Sequence, residues 1–189
     1  MSLAVLASGS GTLLDAMATA GLPIRLVMAD RHCPVEDVAA RHGIECRVIE
    51  RTDFSDAFDR DEFTERVIEQ LRSADIEVVA MAGWGTILGP AAFQAFPGRI
   101  VNTHPALLPL FPGWHGVRDA LAAGVKVTGC TIHIATEKVD DGPILAQEEV
   151  PVLDGDDEAT LHERIKTVER RLYVDTLRSF LEDLAENPA

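Results

Sequence analysis

Cysteine, aromatic residues and cations are all scarce in this chain. Its three cysteines, Cys33, Cys46 and Cys130, are scattered and lack the Cys-x-x-Cys spacing of a metal knuckle or redox pair, so they read as buried thiols of a reducing cytoplasm. Lysine and arginine number 17 against 31 acids, a formal charge of −14. Such a surface offers no basic stripe to a nucleic-acid backbone and is repelled by anionic lipid headgroups, which excludes nucleic acid and membrane as partners. The opening MSLAVLASGSG has no basic segment, and its apolar run is too short for a signal peptide or a membrane span. It reads as a first strand. Internal repeats, low-complexity tracts and Ser/Gly-rich linkers are missing too.

What remains is an ordinary globular balance, 47% hydrophobic and 25% charged in 189 residues. That length suits one domain with a core, burying roughly 70% of the surface the unfolded chain exposes. Aliphatic runs at 3–7, 24–29, 46–50, 76–83 and 99–104 alternate with helically spaced apolar sets such as Leu13, Leu14, Met17 and Ala20, or Phe63, Val67, Ile68 and Leu71. Near-continuous apolar strands are buried on both faces, as in a parallel sheet covered by helices. The expected class is therefore α/β: a doubly wound, mostly parallel sheet. After a short helix at 116–123, strands at 127–136 and 143–152 predict a hairpin extension, and a long terminal helix is expected from about Ala159 to Glu186.

Open α/β sheets bind ligands at the carboxyl ends of their strands. There the sequence places SGSGT (8–12), AGWGT (82–86), NTHP (102–105) and the turn EKVDDGP (137–143). In the first, glycines permit close backbone approach, and the start of a helix presents free N–H groups to an anion. A dinucleotide fingerprint would pair Gly9 and Gly11 with Asp30, but Leu14 stands at the third glycine position; a triphosphate loop would need a lysine that does not follow. A phosphate monoester fits better.

Asn102 and His104 lie two apart on a strand and so share a face. Pro105, Pro109 and Pro112 stiffen the segment that follows. An amide donor beside an imidazole suits a developing oxyanion, and an acyl-type transfer between amines also needs a proton shuttle. Asp140 or Asp141 can supply it, with Thr131 and His133 on the strand leading in. The histidines show no HxH or HExxH spacing, so no metal is expected.

With SGSGT, MAGWGTILGP, NTHPALLPLFPG, TGCTIHIATEKVDDGPILAQEEVPV and RIKTVERRLY in one order, the chain resembles the phosphoribosylglycinamide formyltransferase family across essentially its whole length. The resemblance implies a Rossmann-like formyltransferase fold in a single domain, 1–189, with a substrate-phosphate half at 1–100 and a catalytic and folate half at 101–189. It implies transfer of the formyl group of 10-formyltetrahydrofolate to the amine of phosphoribosylglycinamide, in purine synthesis, by a cytoplasmic enzyme. Asn102, His104 and Asp140 match the catalytic trio, with Thr131 and His133 supporting. Gly9, Ser10, Gly11, Thr12, Gly83, Lys166 and Glu169 match substrate positions. The reduced folate is placed against Gly85, Thr86, Ile87, Leu88, Asn102, Thr136, Glu137, Val139 and Asp140.

Departures from the family pattern are equally specific. Leu13 replaces a frequent Asn, Leu110 stands where the proline loop often carries Lys, and Gly85 and Thr86 replace bulkier, often basic residues. The segment TDFSDAFDRDEF lacks an Arg that some members use on the phosphate. No role is assigned to His115, and a homodimer is left open. Rival readings are a sugar-amine formyltransferase, a formyltetrahydrofolate hydrolase, a methionyl-tRNA formyltransferase, disfavoured by charge and length, and a dinucleotide-binding module built on Gly9, Gly11 and Asp30.

Overall fold

The computed structural model describes residues 1–187, so Pro188 and Ala189, the end of the expected 101–189 half, lie outside the described residues. The chain divides into two compact units, Met1–Val101 and Asn102–Ala189.

In the first unit, β1 (Leu3–Ala7) is buried at every position, as an interior strand flanked on both faces must be. It pairs in parallel with β2 (Ile24–Ala29) and β4 (Val78–Met81), and β2 pairs in parallel with β3 (Glu45–Val48). The connecting helices are α1 (Thr12–Thr19), α2 (Val35–Arg41) and α3 (Arg60–Ser73). Asp59 caps α3 by accepting the Glu62 N–H, and Phe63, Val67, Ile68 and Leu71 form its buried stripe as the spacing predicts. Three elements differ from expectation, the first being β4, which spans Val78–Met81 where 76–83 was expected. The third strand begins at Glu45 and its regular ladder ends at Val48, although Ile49 and Arg51 still donate to Ala29 and Asp30. A six-residue helix, α4 (Pro90–Ala95), follows β4, too short to show a helical period.

β5 (Ile100–His104) carries the boundary between the units. In the second unit, α5 (Gly116–Ala122) precedes the antiparallel hairpin of β6 (Val127–Ile134) and β7 (Ile144–Pro151). Then α6 (Glu158–Glu186) starts from a reciprocal cap: Thr160 N–H donates to Asp157 and Asp157 N–H to Thr160 Oγ1. Its Leu161 and Ile165 close a core with Val117, Cys130 and Val150. The strand order is β3-β2-β1-β4-β5-β6-β7, an open, seven-stranded, mostly parallel sheet.

Burial corrects two details of the sequence reading. Only Cys130 is buried, and its thiol is pushed up to about 12 by desolvation; Cys33 and Cys46 are half-buried. Ala20 is exposed, because α1 ends at Thr19 and Ala20 only caps it.

Candidate active site

In the first unit the strand-to-helix turn runs as expected. Gly11 takes a left-handed backbone (φ +74°) as it enters α1, and no side chain caps the helix start. The leading N–H groups of α1 therefore have no intrahelical acceptor. Gly9 and Ser10 lie alongside, and Thr12 is exposed. Ser8 N–H donates to the carbonyl of Gly83, 3.0 Å away, tying the glycine loop to the loop after β4. In that second loop Leu88 is buried, Ile87 is exposed, and the Thr86 hydroxyl donates to Asp30 Oδ2 at 2.8 Å.

Asp30 disposes of the dinucleotide reading. It is fully buried, and Arg31 grips both of its oxygens, Nε to Oδ1 at 2.9 Å and Nη2 to Oδ2 at 3.2 Å. Burial would raise its carboxyl; the hydrogen bonds of Arg31, Thr86 and Ser8 outweigh that and hold it below the usual carboxylate range. Fully buried, the carboxylate is closed to a ribose hydroxyl.

The second unit assembles Asn102, His104, His133 and Asp140. Asn102 Nδ2 donates to His133 Nε2 at 3.2 Å, while His133 Nδ1 donates to the carbonyl of Ile134 at 3.0 Å, which fixes that ring's tautomer. His104 Nε2 donates to the carbonyl of Phe111 at 2.7 Å. The proton of neutral His104 is thereby placed on Nε2, and only Nδ1 is available for chemistry. Nδ1 lies 3.3 Å from Asp140 Oδ2, and Asp140 Oδ1 lies 3.5 Å from His133 Nε2.

The side chains of His104 and Asp140 are each only 5% exposed. Desolvation alone would raise the Asp140 carboxyl; His133, the Gly113 N–H, which donates to Oδ2 at 2.7 Å, and the charge of His104 together hold it low. A buried carboxylate, ionised at neutral pH and facing a histidine with a defined tautomer, can accept and return a proton. Phe111 (φ +53°) and Asp140 (φ +56°) both adopt left-handed backbone, and such conformations cluster at functional sites.

The remaining expected positions divide. Thr131 does not reach Asp140. Its hydroxyl donates to the Ala106 carbonyl at 2.7 Å and accepts from Leu108 N–H and Gln147 Nε2, so it braces the proline loop. Thr136 Oγ1 donates to the Lys138 carbonyl, and Glu137 and Val139 are exposed beside Asp140 on the turn. Glu169 on α6 is buried and accepts from Thr103 Oγ1 at 2.7 Å. Strand alternation puts Thr103 on the opposite face from Asn102 and His104, so Glu169 is not gathered with the trio. Burial pushes its carboxyl up, against Thr103, Lys166 and Arg170. Lys166 pairs with Glu163 at 2.8 Å. His115 starts α5, is exposed, and caps nothing with its side chain.

Sequence reasoning missed Phe111, Gly113, Gly116 and Gln147. The first two act through backbone atoms, which no residue type announces. Gly116 is needed sterically: a β-carbon there would sit 2.9 Å from His104 Nε2 and 3.0 Å from the Phe111 carbonyl. Among the described residues no three His, Cys, Asp or Glu side chains form a metal-binding group, and no helix is long and apolar enough to cross a membrane.

The formyl transferase family profile matches residues 1–177. The chain belongs to that family. A phosphoribosylglycinamide formyltransferase of Mycobacterium tuberculosis is 48% identical over 177 residues, covering 91% of this chain and 81% of the relative. The trifunctional purine biosynthetic protein adenosine-3 of Homo sapiens is 37% identical over 183 residues, 93% of this chain but 18% of that longer protein. Among solved structures, glycinamide ribonucleotide transformylase 1 from Symbiobacterium toebii superposes with a TM-score of 0.90 at 37% identity, covering 97% of this chain and 88% of that one.

Proposed function

We propose that this formyltransferase moves the formyl group of 10-formyltetrahydrofolate to the amino group of phosphoribosylglycinamide, as a cytoplasmic enzyme of purine synthesis. The observation that carries the chemistry is the buried His104–Asp140 pair, with the His104 tautomer set by Phe111. Kinship with the Mycobacterium tuberculosis enzyme supports the choice of substrates.

Asn102 Nδ2 keeps a second N–H beyond the one given to His133, and it meets the formyl oxygen. His104 joins it through Nδ1–H as an imidazolium, whose charge Asp140 stabilises. The substrate amine attacks the formyl carbon, and the oxygen takes up negative charge between these two donors. Asp140 accepts the proton lost by the attacking nitrogen, directly or through water, and returns it to folate nitrogen 10 as the carbon–nitrogen bond breaks. The products are the N-formyl amide and tetrahydrofolate. Within the first unit we assign the substrate phosphate to the glycine loop 8–12 and a contact with the reduced folate to residues 83–88; within the second, we assign a folate contact to residues 136–140 and a substrate contact to Lys166, released from Glu163.

Purified protein with 10-formyltetrahydrofolate and phosphoribosylglycinamide should give the N-formyl product in proportion to tetrahydrofolate. Formate as the only product would favour the hydrolase reading. Formylation of an amino sugar in preference would overturn the acceptor.

A further inference from the structure

We propose that Arg31, a residue outside the catalytic trio, is a specificity-determining cation that binds an oxyanion of a substrate. This rests on the formyl-transfer reading above and names a contact that reading leaves open.

The loop after β4, AGWGTILG at 82–89, carries no cation of its own. The structure supplies a cation to that loop from the segment just after β2. A β-carbon on residue 85 would stand 2.7 Å from Arg31 Nη2, 3.0 Å from Asp30 Oδ2 and 3.1 Å from Ser8 Oγ. Gly85 is thus the space in which the Arg31 guanidinium lies, beside the first residue of the glycine loop.

Asp30 holds one edge of the guanidinium by two hydrogen bonds and is completely buried, whereas the Arg31 side chain is 45% exposed. Among the described residues, the Arg31 hydrogen bonds come from Nε and Nη2, and Nη1 has no protein acceptor. Ser8 Oγ accepts the Gly85 N–H and Thr86 donates to Asp30, so each neighbouring polar group is satisfied without it. A planar fork held by a buried carboxylate, with unspent N–H groups on a half-exposed side chain, is preorganised for a carboxylate or a phosphate. Two substrate groups offer that chemistry: the phosphate of the ribonucleotide and the glutamyl carboxylates of the folate.

The test is Arg31→Lys, which keeps a charge on Asp30 but loses the fork, beside Gly85→Ala, which leaves both charged groups in place and forces the guanidinium to shift. Both variants should raise the same KM by roughly tenfold or more, with a smaller effect on kcat. A rise in the phosphoribosylglycinamide KM assigns the phosphate. A rise in the folate KM that disappears with a formylated pteroate lacking glutamate assigns the carboxylate. Calorimetry of inorganic phosphate and of p-aminobenzoylglutamate binding to the wild type and both variants gives a reading independent of turnover. If the wild type transfers no formyl group yet binds one probe more strongly than the variants do, the reaction assignment fails and the Arg31 site stands. KM values within twofold of wild type in both folded variants, or probe binding unchanged by either substitution, would overturn it.

Discussion

His104 presents Nδ1 to Asp140 Oδ2 across 3.3 Å because its other nitrogen is tied to the carbonyl of Phe111. One backbone hydrogen bond thereby decides which side of the imidazole can do chemistry. Asp140 is steadied in turn by the Gly113 N–H, from the same loop as Phe111.

Replacing Asp140 with Asn should reduce kcat by on the order of 10²–10⁴-fold, the usual cost of losing a positioned proton carrier. Asn tolerates the left-handed backbone that Asp140 adopts, so the turn should survive. Steady-state kinetics with circular dichroism tests both halves; a folded variant with near-normal kcat removes Asp140 from the mechanism.

Gly116→Ala should act on catalysis through geometry alone. The new methyl would crowd His104 Nε2 and the Phe111 carbonyl, breaking the bond that sets the tautomer. A loss on the order of 10²-fold in kcat is expected, as for catalytic groups displaced by about an ångström. An unchanged pH–rate profile and rate would show that the Phe111 contact is dispensable.

Thr131→Val removes a hydroxyl that accepts the buried Leu108 N–H. The orphaned donor costs about 1–3 kcal/mol, a fall in Tm of roughly 2–12 °C in a protein of this size. Thr131→Ser should restore most of it. Calorimetric melting of the pair separates the hydroxyl from the methyl.

Acid stability should depend on Asp156. Arg164 grips both of its oxygens and the Leu153 N–H adds a third bond, holding its carboxyl at about 2 against an ordinary 3.8. A lowered folded-state pKa stabilises fully above the unfolded value and is lost as pH falls through the folded one. Wild type should therefore exceed Asp156→Asn in urea midpoint at pH 7, with the gap closing between about pH 4 and pH 2. A gap that persists below pH 2 would mean that the ionised form is not its source.

LAVLA and IRLVMA were legible to the residue because their aliphatic composition marks them, whereas the run at 76–83 overran β4 by two residues at each end. β3 was misplaced because every residue in it is half-buried or exposed, so its apolar pattern is weak. Asn102 and His104 could be paired from strand alternation. The need for a proton carrier pointed to Asp140 or Asp141, and only the resemblance chose Asp140, since Asp-Asp-Gly is equally a turn sequence. Phe111 was invisible for a different reason: a left-handed phenylalanine contributing its carbonyl leaves no mark on composition or spacing.

The hairpin strand β7 closes one edge of the sheet order, and its outer row of backbone donors and acceptors is a template for another chain. Glu148 and Glu149 sit near its end, followed by Pro151, which can donate no hydrogen bond. Arg171 already pairs with Glu148, so Glu149 and Pro151 are what the end of this strand sets against pairing with another chain's edge.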